Sequence, residues 1–125
     1  MSDMFAPATV PTPLHIVAVG RWSPTTVTLA AVGEVDMATA PVLLERLIGV
    51  LRVDHPEVVE VDLTGVRFLD CAGVGALVAA RNAALQVGCR LRVCHLQPIV
   101  HRVLEITGLL GALTASTVLA DGRRV

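Results

Sequence analysis

The alternation of apolar and polar positions begins at Leu14. Leu14–Val19 reads as a short strand, Gly20–Pro24 as a turn, and Thr26–Val32 as a second strand dense in β-branched residues. Two strands this close in sequence predict an antiparallel hairpin. Gly33-Glu34-Val35-Asp36 then interrupts the pattern. From Ala38 to Leu51 apolar residues recur at helical spacing, through Pro41, Leu44, Leu47, Ile48 and Leu51. Proline is tolerated only in a first turn, which sets the helix start near Thr39, and His55-Pro56 closes the segment.

Val58–Leu63 reads as a short strand with Glu60 and Asp62 at alternating positions. Thr64–Asp70 is expected to be a loop leading into Cys71 and a second helix, which ends near Val87-Gly88 with glycine as its left-handed stop. Cys89–Cys94 is a further strand, with Arg90 and Arg92 on one face and Leu91 and Val93 on the other. That places it towards the sheet edge, or leaves one face partly covered. Gln97-Pro98 opens a third helix striped by Ile99, Val100, Val103, Leu104 and Ile106 and stopped by Gly108. Leu109–Val125 is expected to add one weak strand and a polar end. The resulting order, β-β-α-β-α-β-α-(β), predicts an α/β fold: a mixed sheet of four to five strands with helices packed against it. Residues 14–119 form one domain, between an arm over 1–13, broken by Pro7, Pro11 and Pro13, and a polar tail over 120–125.

Composition narrows the class. The chain has 125 residues, 54% hydrophobic and 17% charged, so it has the means to bury a core without metals or disulfides and is not a disordered chain. Ten basic residues, all arginine, face eleven acids for a net charge of −1. Singly scattered arginines and near-neutrality argue against direct nucleic-acid binding. Trp22, Phe5 and Phe68 are the only aromatics, too few to stack bases or sugars. No charge-free apolar run reaches about 18 residues, which argues against membrane insertion. The first residues lack a basic n-region, so a cytoplasmic location is expected. Three cysteines, an odd number, suit a reducing compartment better than a disulfide framework.

Chemistry is sparse. Cys89 and Cys94 are too far apart for a zinc pair, and His95 and His101 lack helical i,i+4 spacing, so no metal is expected. Gly73-Val74-Gly75 lacks the spacing and lysine of a phosphate loop, and no cofactor is implied. Glu34 with Asp36, and Glu60 with Asp62, lack a nucleophile–base partner, which speaks against an enzyme. The informative segment is Asp70-Cys71-Ala72-Gly73. Asp70 or Cys71 caps a helix there, and the small residues through Gly75 and Ala76 leave a low profile on which another protein can lie. The competing reading is tight helix-on-sheet packing at Gly73 and Val74, with Cys71 as a small packed residue.

Gly33-Glu34-Val35-Asp36, Val61-Asp62-Leu63-Thr64-Gly65-Val66-Arg67-Phe68-Leu69-Asp70, Gly73-Val74-Gly75 and Pro98–Leu109 together resemble the STAS domain, and more closely the bacterial anti-sigma factor antagonists. The resemblance covers about residues 14–114. It implies a mixed sheet with helices, and a partner: an anti-sigma factor with a kinase-like ATP-binding domain, from which a sigma factor is released. It also implies a partner surface at Asp36, Asp70, Cys71, Ala72, Gly73 and Val74, with Arg81 nearer the rim. STAS domains also serve in membrane lipid- and anion-transport assemblies, which is the alternative function. Self-association as a homodimer is left open.

Antagonists of this type carry Asp-Ser-Ser-Gly or Asp-Ser-Thr-Gly at this helix start and are switched off by phosphorylation of the hydroxyl residue before glycine. Here Asp70 and Gly73 match, Cys71 replaces the first serine, and Ala72 occupies the phosphoacceptor position. This departure leaves three readings: a constitutive antagonist, control through cysteine chemistry at Cys71 and Cys94 (against separate buried thiols), or modification of Thr39, Thr64 or Thr107. A Cys71–Cys94 bridge requires Cα atoms within about 7 Å.

Overall fold

A computed structural model describes residues 14–21 and 23–114. The arm over 1–13, Trp22, the tail over 120–125 and the end of the 14–119 span lie outside the described residues. The first two strands, β1 (His15–Arg21) and β2 (Thr26–Val35), form the expected antiparallel hairpin, with Val19 opposite Leu29. Its turn is tied by Ser23 Oγ, which accepts the backbone N–H groups of Thr25 and Thr26. Helix α1 (Ala40–Asp54) carries Pro41 in its first turn and stops at His55, whose φ of 47° is left-handed.

Strand β3 (Val58–Leu69) runs parallel to β2. Helix α2 (Cys71–Gln86) ends in the predicted stop: Val87 N–H donates to Ala84 O, and Gly88 has a φ of 73°. Strand β4 (Arg90–Cys94) lies parallel to β3 at the sheet edge, and α3 (Pro98–Ile106) and α4 (Leu110–Thr114) complete the order. The sheet order is β1-β2-β3-β4.

Strict alternation decides which sheet face is covered. Val27, Leu29, Ala31 and Val35 of β2 are buried, as are Val59, Val61 and Leu63 of β3 and Leu91 and Val93 of β4. They form one cluster with Leu43 and Leu47 of α1, Leu77 and Ala80 of α2, Val100 and Leu104 of α3, and Leu113 of α4. The opposite face is partly exposed and mixed, with Thr28, Glu60, Asp62 and Arg92 beside the exposed Val32 and Phe68. There Arg92 meets Glu60 at 2.6 Å, a part-buried pair.

Two expectations are corrected. Gly33 does not end β2; the strand continues to Val35, with a register shift between Gly33 and Glu34. Residues 64–69 are strand, not loop, because β3 keeps pairing with β2 through Gly65–Val32, Val66–Gly33, Phe68–Glu34 and Leu69–Val35. Gly65 permits this: a Cβ there would stand 2.5 Å from Val32 Cγ2. The described part of the segment after Gly108 is helix α4, with Leu113 fully buried; the rest of the stretch expected to hold a weak strand, 115–125, lies outside the described residues. Among the described residues no fifth strand exists, since the edge beyond β4 is not extended.

Candidate functional site

The long parallel pair β2–β3 carries two chain turns out at its C-terminal end. After β2, Asp36 Oδ1 accepts the N–H groups of Ala38 (2.9 Å) and Thr39 (3.0 Å). Thr39 Oγ1 accepts the Asp36 N–H at 2.9 Å and donates to Glu34 O at 2.8 Å. The Thr39 N–H, with the Thr39 hydroxyl and Ala38 N–H adding, holds the Asp36 carboxyl below its ordinary value against the opposing effect of burial. After β3, Asp70 caps α2: its Oδ1 accepts the Gly73 N–H at 3.0 Å, and its own N–H donates to Val35 O at 3.2 Å. The two aspartates thus order the two turns that start α1 and α2, and the Asp70–Val35 bond stitches them together.

The predicted site residues divide here. Cys71 is exposed, and Asp36, Asp70, Ala72 and Arg81 are half-buried. Arg81 lies ten residues along α2 from Cys71, about 15 Å away along the helix axis. Gly73 and Val74 are instead core. Gly73 is buried, and Val74 is 5% exposed. A Cβ on Gly73 would stand 2.4 Å from Leu69 Cδ1 and 2.8 Å from Val35 Cγ1. The tight-packing reading holds at these two positions, because the first turn of α2 sits directly on the strand ends.

Cys71 and Cys94 are not brought together. Cys94 pairs with Asp62, and β3 runs on from 62 to 69 before Cys71 begins α2. Seven strand residues span about 23 Å, so the bridge cannot form in this fold; both thiols are free. Burial, with Glu60 and Asp62 nearby, pushes the Cys94 thiol up to about 11. Its Sγ lies 3.7 Å from Val61 O. The candidate hydroxyls are engaged within the chain: Thr64 Oγ1 donates to Asp62 at 2.6 Å, and Thr107 Oγ1 to Val103 O at 2.9 Å. No cluster that could hold a metal ion occurs among the described residues.

Between the first turns of α1 and α2 runs an apolar groove of about 300 Å³, bordered by Met37, Pro41, Leu44, Ala72, Gly75 and Ala76. Met37 is 78% exposed at its lip. The α1 side of this groove was not legible as a site; the available signal was an unburied methionine placed between a strand end and a helix cap.

Comparison with known proteins bears on this arrangement. The STAS domain family model matches residues 20–121. An anti-sigma-B factor antagonist of Listeria monocytogenes is 38% identical over 77 residues, covering 62% of this chain and 67% of the Listeria protein. The crystal structure of an anti-sigma factor antagonist from Mycobacterium paratuberculosis superposes with a TM-score of 0.72 at 26% identity, over 90% of this chain and 92% of that one. The unphosphorylated anti-sigma factor antagonist SpoIIAA shares the fold at a TM-score of 0.66 and 17% identity, over 83% of this chain and 90% of that one.

Proposed function

We propose that this chain, which belongs to the STAS domain family, acts as an anti-sigma factor antagonist: it captures an anti-sigma factor with a kinase-like ATP-binding domain and so releases a sigma factor. It changes transcription from the cytoplasm, by binding alone, without contacting DNA and without turnover of its own. The similarity to named antagonists of both sequence and fold supports this reading. So does the lack, among the described residues, of a helix long and apolar enough to cross a membrane. The docking surface comprises the Asp36 turn, the Asp70 cap, Cys71 and Ala72, with Arg81 at its rim. Gly73 and Val74 act from beneath, by setting the height of the helix entrance.

The observation that carries the constitutive part of this reading is Ala72. It lies half-buried in the first turn of α2, two residues after the capping Asp70, where the resemblance puts a phosphoacceptor hydroxyl. A methyl group accepts no phosphate, so capture is not reversed at this turn and the protein is a constitutive antagonist. A phosphate there would bring about two negative charges into a close interface.

The test mixes the purified chain with each ATP-binding anti-sigma factor of its source organism. One of them binds the native chain and, given ATP, neither labels it at the α2 start nor lets it go. Ala72→Ser creates an acceptor and is labelled and released. Ala72→Glu, burying an unpaired charge, weakens capture by at least about 30-fold. Release of the native chain when ATP is added, or unchanged affinity of Ala72→Glu, refutes the proposal.

A further inference from the structure

Helix α1 buries Leu43, Leu47, Val50 and Leu51 on its inner side. Its outer side carries a stripe that nothing in the described chain covers. Val42 is 50% exposed and Val53 77% exposed, with the exposed Arg46 and the partly exposed Gly49 between them. Positions 42, 46, 49 and 53 fall along one line of an α-helix. A Cβ on Gly49 would meet nothing within 4 Å, so no contact in the described chain calls for glycine there, although alanine is the better helix former. Along this side runs a groove of about 610 Å³ that also takes in the exposed Val19 and the partly buried Ile48.

We propose that two copies of this chain pair through the outer sides of their α1 helices, laid antiparallel across a two-fold axis, with Val42 of each against Val53 of the other and Glu45 of each beside Arg52 of the other. The spacing of the stripe reads the same in both directions, so a second α1 turned end for end sets valine on valine and Arg46 over Gly49, as a two-fold interface requires. The charges obey the same symmetry. All the charged residues of α1 are Glu45, Arg46, Arg52 and Asp54, and Asp54 is already held by Arg21 at 3.1 Å. Glu45 and Arg52 lie seven residues apart on one flank of the stripe, and reversal leaves each about 3 Å along the axis from its opposite in the other copy. Arg46 leaves the helix about 120° away from Arg52, and its stem lies in the gap at Gly49 of the other copy, one turn from that copy's Glu45. This face shares no residue with the docking surface, so a dimer carries two docking surfaces, and the pairing does not depend on the antagonist reading.

The test is sedimentation equilibrium of the full chain at up to about 1 mM, a range that reads a weak association through one helix face. The native chain shows a monomer–dimer equilibrium. Glu45→Arg sets arginine against arginine at both symmetric contacts, and Arg52→Glu sets glutamate against glutamate. Each variant alone therefore loses at least about tenfold in dimer affinity. Mixed one to one, the two variants pair with each other at native affinity, since each supplies the charge the other lacks. The double variant, Glu45→Arg with Arg52→Glu, recovers the native dimer. Thermal unfolding of the dilute monomers stays within a few degrees throughout, because both sites are exposed.

A native chain that stays monomeric at every concentration overturns the inference. So does a dimer that neither single variant weakens, because another face then joins the copies. Failure of both the mixture and the double variant to recover association overturns it as well, since Glu45 and Arg52 then do not meet across the axis. None of these results touches the antagonist reading, which stands or falls on titration with the anti-sigma factors.

Discussion

Replacing Gly73 by alanine tests how the site is built. The added Cβ would lie 2.4 Å from Leu69 Cδ1, 2.8 Å from Val35 Cγ1 and 3.0 Å from Val35 O. Leu69 could swing its terminal methyl away only within a packed core, being 2% exposed. Val35 is fully buried and β-branched, with one stiff torsion, and its carbonyl is part of the β2 backbone. The strain is therefore relieved by lifting the first turn of α2 off the strand ends.

That movement stretches the Gly73 N–H bond to Asp70 and the Asp70 N–H bond to Val35 O. Overpacking of this kind costs about 1–3 kcal/mol, and a weakened cap adds about 1 kcal/mol. The better helix propensity of alanine returns about 1 kcal/mol. A net destabilisation of about 2 kcal/mol is expected, seen in urea unfolding as a lower midpoint at unchanged m-value, and in heating as a loss of about 8 °C. Gly75→Ala, two residues away in the same helix, should move both readouts the other way. A neutral or stabilising Gly73→Ala would refute the assignment of this glycine to intrachain packing.

Two further outcomes follow from charge and burial. The Asp36 carboxyl sits below its ordinary value of 3.8, so the unfolded chain binds that proton more tightly. Its share of stability is complete above that ordinary value and is lost as pH falls through the lower folded value. Asp36→Asn should therefore show a shallower acid-side decline in the urea midpoint than the native chain, and identical declines would contradict the turn described here. Thiol labelling of the folded protein near neutral pH should modify Cys71 quickly and spare Cys89 and Cys94, whose thiols burial pushes up. All three should react in denaturant, and no intramolecular bridge between Cys71 and Cys94 should form under oxidation. Rapid labelling of Cys94, or recovery of that bridge, would overturn the strand register.

Local pattern determined most of the elements, because their signals lie within a few residues. Alternating valines and leucines set the strands and their buried face, Pro41 and Pro98 set helix starts, and Gly88 and Gly108 set stops. The family resemblance lay in local runs of the same kind, Gly33–Asp36, Val61–Asp70, Gly73–Gly75 and Pro98–Leu109. Elements whose signal depends on distant partners were misread. Residues 64–69 look like a loop until β2 lies beside them, and Gly65 is a strand residue only because Val32 crosses over it. Leu110–Thr114 is too short to declare itself and is a helix because Leu113 finds the core. The site shows the same division. Which small residues open α2 is written in the chain, but whether a small residue serves packing or leaves a surface open depends on what stands opposite its missing Cβ. For Gly73 that is Leu69 and Val35, for Gly75 nothing, and only the packing of α2 on the strand ends could separate the two.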